Sequence, residues 1–346
     1  MILIKMFLLP ISLLYGLVVW FRNKCFDWGF FKSHSFDIPL ISVGNITAGG
    51  TGKTPHVEYI IHLLKEFSSK AILSRGYGRK TRDFKSVFAD SKVTQVGDEP
   101  LQYAQKFQDV SVAVQEDRVR GIKKLIKEGV ALIVLDDAFQ HRWVQPGLNI
   151  LLTSYNNLYI DDFLMPVGKL REGKLSALRA DVIVVTKVPK ALLPVDKKRL
   201  IEQIAPWPHQ QLYFSYYDYS HPVDVFNKEE VPLDEQQILL LTGIADAQSI
   251  KDYLIGKVEV IEHLEYKDHH HYSRKDIKKI IEVWKQVKSS KKLILTTEKD
   301  AVRLQEYKEE LQDISICYLP LKVSFHEGEK FNDLVLSYVR ENTRNS

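Results

Sequence analysis

Short apolar runs separated by polar, glycine-bearing stretches organise most of this chain. Runs at 40–43, 70–73, 110–114, 131–135, 148–153 and 181–186 are dominated by Val, Ile and Leu. Being continuous rather than alternating, they predict strands covered on both faces. Stretches at 55–67, 100–107 and 117–128 read as helices between them, the last opened by Asp117 and closed by Gly129. A short run at 86–89 is a further strand candidate. Strands alternating with helices predict a parallel sheet inside an α/β/α sandwich.

The pattern changes at Pro206-Trp207-Pro208. Residues 212–219 then alternate aromatics in an extended style, which predicts a linking strand or ribbon. A second alternation follows, with strands at 237–242, 258–264, 292–296 and 314–319 and a helix at 275–287. The expected organisation is an N-terminal segment 1–34, a core domain 35–205, a linker 206–230 and a smaller α/β domain 231–346.

The N-terminal segment stands apart. Met6 to Phe21 carry no charge, and Arg22, Lys24, Phe26, Trp28, Phe30 and Phe31 follow. The run is shorter than the ~20 apolar residues of a span. Large and basic residues stand where a secretory signal needs small ones. The reading is a membrane-anchor helix that lies on the bilayer or crosses it, with a buried core helix as the alternative. The basic flank would keep the body of the protein cytoplasmic.

Composition adds bounds. A chain of 346 residues, 45% hydrophobic and 27% charged, has material for a sizeable core and two domains. A net charge of +4 is too mild for a nucleic-acid footprint and suits an anionic membrane surface. Cys25 and Cys317 form neither a disulfide framework nor a zinc spacing, which fits a reducing cytoplasm.

The chemistry gathers where strands end. Thr47-Ala48-Gly49-Gly50-Thr51-Gly52-Lys53-Thr54 follows the first apolar run. Its glycines let successive N–H groups converge on phosphate, Lys53 suits the β- and γ-phosphates, and the Thr54 hydroxyl suits Mg²⁺. Thr47 occupies the place of the usual first glycine. Asp136 and Asp137 end the run at 131–135, where a phosphate-loop enzyme holds its metal shell. Gly97-Asp98-Glu99-Pro100 reads either as a helix cap or as a carboxylate that accepts a hydroxyl proton. In Asp268-His269-His270-His271-Tyr272 the neighbouring histidines point apart, which disfavours a shared metal; a His paired to a carboxylate across a cleft is the better functional reading, with a plain surface His cluster as an equal alternative. Arg75, Arg79 and Arg171 lie in glycine-containing or glycine-flanked loops that suit phosphate contact or are plain solvated loops.

These pieces, in this order, resemble the tetraacyldisaccharide 4'-kinase family, the lipid A 4'-kinases of Gram-negative bacteria. The resemblance rests on Leu13-Leu14-Tyr15-Gly16, on Ser42-Val43-Gly44-Asn45 leading into the phosphate loop, and on Ser74-Arg75-Gly76-Tyr77-Gly78. It continues through Gly97–Pro100, Asp136–His141, Leu170-Arg171-Glu172, Leu175-Ser176-Ala177-Leu178, Asp268–His270 and Thr297–Val302, and so covers nearly the whole chain. The family accepts Ser or Thr at the place of Thr47. Ala138, where Gly is usual, and Gly173, where Pro is common, depart from its pattern, and the second leaves the role of Glu172 open.

The resemblance implies a P-loop-like core and a smaller α/β lobe joined by a β-ribbon. It implies ATP and Mg²⁺ as cofactors. The acceptor would be the 4'-hydroxyl of tetraacyldisaccharide 1-phosphate, giving lipid IVA, with the enzyme on the cytoplasmic face of the inner membrane and no obligate protein partner. Residues 47–54 would bind nucleotide, and Thr54 with Asp136 and Asp137 the metal. Asp98 would take the hydroxyl proton, helped by His269 or His270, with Lys53 and Arg171 on the phosphates. Two alternatives stand beside it. One is a membrane-associated nucleotide switch or ATPase without a lipid acceptor, against which Val185-Thr186-Lys187 lacks the guanine-reading Asn and Asp. The other is a soluble small-molecule kinase whose first helix is core.

Overall fold

A computed structural model describes residues 2–234, 236–289 and 291–343. Its strands are β1 (Leu40–Gly44), β2 (Lys70–Ser74), β3 (Lys85–Val87), β4 (Ser111–Val114), β5 (Leu132–Asp136), β6 (Leu148–Ser154) and β7 (Val182–Thr186). They continue as β8 (Gln211–Tyr219), β9 (Val223–Asp224), β10 (Gln237–Thr242), β11 (Glu259–Glu265), β12 (Lys292–Thr297), β13 (Ile316–Leu319) and β14 (Leu321–Phe325).

The larger sheet has the order β14-β8-β7-β6-β1-β5-β2-β4-β3. Its inner strands run parallel, and antiparallel β3 and β14 close the edges. β1, β2, β5, β6 and β7 are buried along their whole length, as continuous apolar runs require. The register matters for the site. Val43 pairs with Asp136, so the mouth of the glycine-rich loop and the acidic end of β5 lie side by side. Helix Lys53–Leu63 leaves that loop and packs its apolar face on the sheet. Asp117 caps helix Arg118–Lys127 by accepting from the Arg120 N–H.

The second sheet has the order β11-β10-β12-β13-β9 and its own core around Leu239, Ile280, Ile294 and Ile316. Helix Arg274–Gln286 opens with a full capping box of Ser273 and Asp276. β8 and β9 run antiparallel to β14 and β13, so one two-stranded ribbon passes from sheet to sheet.

The expected domain boundary at 231–346 needs correction at its C-terminal end. After Leu319 the chain crosses back, β14 pairs with β8, and helix Gly328–Thr343 buries Phe331, Val335 and Val339 in the core of the larger sheet. The short alternation of β14 hid this return, because one face of an edge strand stays wet.

The N-terminal helix, Ile2–Asp27, is docked along one side. The Ser12 hydroxyl donates to the Leu164 carbonyl at 2.8 Å and the Tyr15 hydroxyl to that of Arg171 at 2.8 Å. Gly16 permits this approach, since a Cβ there would stand 2.7 Å from the tip of Leu164. Phe7, Leu13, Leu14, Leu17, Val18 and Phe21 remain exposed, which rules out a buried core helix. No helix among the described residues is long and apolar enough to cross a membrane.

Candidate active site

A cleft of about 870 Å³ runs between the two sheets along the glycine-rich loop. Ala48 to Thr54 line it, whereas Thr47 is buried beneath, bridged to Leu170. The loop is held from several directions. Thr51 accepts a 2.6 Å hydrogen bond from the Asn45 amide on its hydroxyl and a 2.9 Å bond from the Thr186 hydroxyl on its carbonyl. Gly52 caps the following helix in the left-handed conformation (φ 84°, ψ 31°), and a Cβ there would stand 2.2 Å from the Tyr217 hydroxyl. Only glycine fits. His56, one turn on, contacts the Gly52 carbonyl at 2.7 Å and the Ser215 hydroxyl at 2.8 Å. Burial pushes its pKa down to about 4, so the ring is neutral near pH 7. A carbonyl only accepts, so Nδ1 carries the hydrogen and Ser215 donates to Nε2.

The two carboxylates after β5 have different surroundings. Asp137 faces Lys53 at 3.7 Å and takes a two-pronged contact from Arg171, at 3.1 and 2.9 Å. Burial pushes its carboxyl upward, but Lys53 and Arg171 override this and hold it far below the usual range. Asp136 is buried and accepts from the Ser74 hydroxyl at 3.0 Å. Among the described residues no cation stands in direct ion-pair contact with it. Burial and the neighbouring Asp137 charge raise its pKa. A buried carboxylate without a direct ion pair, lining the same cleft as Thr54, supplies oxygen donors suited to a hard divalent cation. Buried Arg118 supports this corner from behind, donating to the Gln115, Glu116 and Asp136 carbonyls.

Across the cleft, helix Asp98–Lys106 meets the second lobe. Gly97 holds φ 93°, ψ 160°, a conformation essentially restricted to glycine, and this turns Asp98 inward. Asp98 is the first residue of its helix rather than its N-cap, and its Oδ1 accepts from the neighbouring Glu99 N–H at 3.1 Å. Its Oδ2 lies 3.0 Å from Nδ1 of His269 and 3.6 Å from the Lys299 ammonium, and it accepts from Arg303. Burial raises the Asp98 carboxyl, but Glu99, Lys299, His269 and Arg303 hold it well below the usual range. Only 3% exposed, Asp98 lies one layer behind Glu99, His269 and Lys299, which form the wall. Burial, partly offset by Lys299 and reinforced by Asp98, pushes Glu99 up to about 7.

The expected site residues thus sort out. Lys53, Asp137 and Arg171 form one cluster and Asp98 and His269 another, and all of them but Asp98 line the one cleft. His270 does not: it turns to Asp276 at 3.1 Å and stacks on Tyr266, because adjacent residues point apart. Arg75 reaches the cleft, but Arg79 folds onto the Arg82 and Asp83 carbonyls of its own loop. Glu172 is buried between Arg179 and Arg22, so it ties the N-terminal helix to the core.

The arrangement matches known proteins along nearly all its length. The family model described as tetraacyldisaccharide-1-P 4'-kinase matches residues 4–340. The chain belongs to this family. A tetraacyldisaccharide 4'-kinase of Bacteroides thetaiotaomicron is 45% identical over 99% of this chain and 95% of that protein. One of Phocaeicola vulgatus is 44% identical over 99% and 97%. A crystal structure of Aquifex aeolicus LpxK in complex with ATP superposes with a TM-score of 0.76 at 31% identity, covering 97% of this chain and 99% of that one.

Within this kinase family member, sequence reasoning assigned no role to Glu99, Lys299, Arg303 or Tyr77, whose ring lies 4.8 Å from that of His269. The signal was partly visible. Lys299 and Arg303 are four apart after a strand end, one face of helix Glu298–Leu304. Lys187 was likewise unassigned; it pairs with Asp246 of the second lobe at 2.5 Å, beside Gly50.

Proposed function

We propose that this chain transfers the γ-phosphate of ATP to the 4'-hydroxyl of a tetraacyldisaccharide 1-phosphate. The observation that carries the reading is the meeting of Asp98 and His269 from opposite lobes, on a cleft whose other side carries Lys53 of the glycine-rich loop paired with Asp137 after β5. Lys53 and the loop N–H groups bind the β- and γ-phosphates, and Arg171 stands ready to share their charge. Thr54, Asp136 and Asp137 hold Mg²⁺, which when bound neutralises charge on the phosphates. Asp98 takes the sugar hydroxyl proton, and His269 orients it. A depressed carboxylate suffices, because in a loose phosphoryl transfer the hydroxyl loses its proton late.

The exposed face of the N-terminal helix supports a second part of the reading. Leu13, Leu14, Leu17 and Phe21 lie on a helix whose other side, at Tyr15, Val19 and Arg22, lines the cleft. This helix lies in the surface of the membrane and brings the site to a substrate whose acyl chains stay in the bilayer. The face concerned is the cytoplasmic side of the inner membrane.

The test is phosphate transfer from labelled ATP to the disaccharide lipid in detergent micelles. Labelled lipid is expected from the parent, and Asp98→Ala should lose ~10²–10⁴-fold in kcat, the usual worth of a general base. Hydrolysis of ATP with no lipid product would favour a nucleotide switch instead.

A further inference from the structure

We propose that Lys299 is a positioning residue whose ammonium donates to Nε2 of His269 and thereby fixes the neutral ring with its Nδ1 hydrogen on Asp98. This rests on the Asp98–His269 pair proposed above as the proton acceptor. The argument is one of donors and acceptors. Nδ1 lies 3.0 and 3.3 Å from the two Asp98 oxygens, which only accept while ionised. Nε2 lies 3.2 Å from the Lys299 nitrogen, and an ammonium has three donors and no acceptor. Only a ring with hydrogen on Nδ1 and a lone pair on Nε2 satisfies both contacts.

The other groups around the ring pull the opposite way. Glu99 and Asp268 lie 3.6 and 3.7 Å from Nε2 and would welcome a proton there. The Tyr77 ring packs on the imidazole, and Arg303 holds the far side of Asp98. Burial lowers the His269 pKa, but Asp98 and Glu99 raise it above its ordinary value, while Lys299 opposes them. The Lys299 charge is itself balanced by Glu99 at 2.6 Å. Three carboxylates therefore favour imidazolium, and Lys299 resists it. An imidazolium would drain the basicity of Asp98, so loss of Lys299 should silence the pair at higher pH than in the parent.

Two readouts test this on the full chain. In the parent, ¹⁵N chemical shifts of His269 should report hydrogen on Nδ1 alone above neutrality. Lys299→Met should carry both hydrogens at a pH where the parent carries one. The acid limb of its kcat/KM profile should move up by about one unit, the scale of a close charge. Lys299→Arg, which keeps the donor, should return the limb toward its parental position. A parental ring with hydrogen on Nε2, or a Met variant with unchanged ring state and limb, overturns the proposal. Should the Met variant not fold, Lys299→Leu, which also removes the donor, is read by the same ring signal and judged by the same outcomes. The ring state needs no turnover. A chain with the expected ring and no lipid product therefore sinks the proposed reaction while leaving the role of Lys299 standing.

Discussion

His56 shows how much one buried side chain can bind together. Its two nitrogens join the phosphate loop at Gly52 to β8 at Ser215, and burial keeps the ring neutral. With the pKa lowered from 6.5 to about 4, folding favours the deprotonated form. This contribution is fully present above the unfolded pKa of 6.5, declines as pH falls, and is exhausted near 4. The shift corresponds to on the order of 3 kcal/mol. His56→Gln should lower stability at pH 8 yet flatten its fall between pH 6.5 and 4, read as the urea midpoint at each pH. An unchanged slope would refute the assignment. The loop itself was legible, because its residue types have direct chemical meaning. Of the partners of Asp98, a histidine of the Asp268–His270 segment was expected, but Lys299 and Arg303 were not, because they come from more than half the chain away and spacing cannot record that distance. Gly97 could be read only once its φ of 93° was known. Gly97→Ala should cost roughly 1–3 kcal/mol in strain and misplace Asp98, so kcat should fall with stability.

At the scale of elements, the periodicity of apolar residues located every strand buried on both faces, because such strands carry an unbroken signal. It failed at β14 and at helix Gly328–Thr343, where amphipathic pieces complete a core built mainly by earlier residues. The first helix was legible as apolar but not as docked: Ser12, Tyr15 and Gly16 are the contacts, and a run of leucines masks them. Its outer face makes a separable prediction. Leu14 and Leu17 are 63% and 60% exposed, so replacing both with Glu should change stability by no more than about 1 kcal/mol. The same change should abolish co-sedimentation with vesicles of anionic and zwitterionic phospholipid. Retention on vesicles at the parental level would remove the helix from membrane binding.

At the scale of the whole molecule, the lobes are joined by charge as well as by the ribbon. Lys106, on the helix that begins at Asp98, contacts Glu58 at 2.6 Å and Glu298 at 3.2 Å. Glu58 lies on the helix that leaves the phosphate loop, and Glu298 immediately precedes Lys299 in the second lobe. The Gln102 amide donates to Glu58 at 2.8 Å in the same cluster. Two carboxylates thus share one ammonium. Burial and the Glu58 charge push Glu298 up to about 7 against the pull of Lys106. A raised carboxyl stabilises the folded chain fully below its unfolded pKa of 4.5, and this contribution is lost as pH rises through 7. Ionising Glu298 therefore loads the joint between the lobes with a second negative charge over that window. Glu298→Gln removes the charge and keeps a hydrogen-bonding group for Lys106. Its melting temperature relative to the parent should rise between pH 5 and 8, by an amount on the order of 1–3 kcal/mol in stability. A difference that stays flat across that range would show that the joint does not titrate. Because this joint connects the phosphate-loop helix to the segment that carries Lys299, Glu298→Gln should also change how nucleotide binding depends on pH, which calorimetry at pH 5 and 8 can read directly.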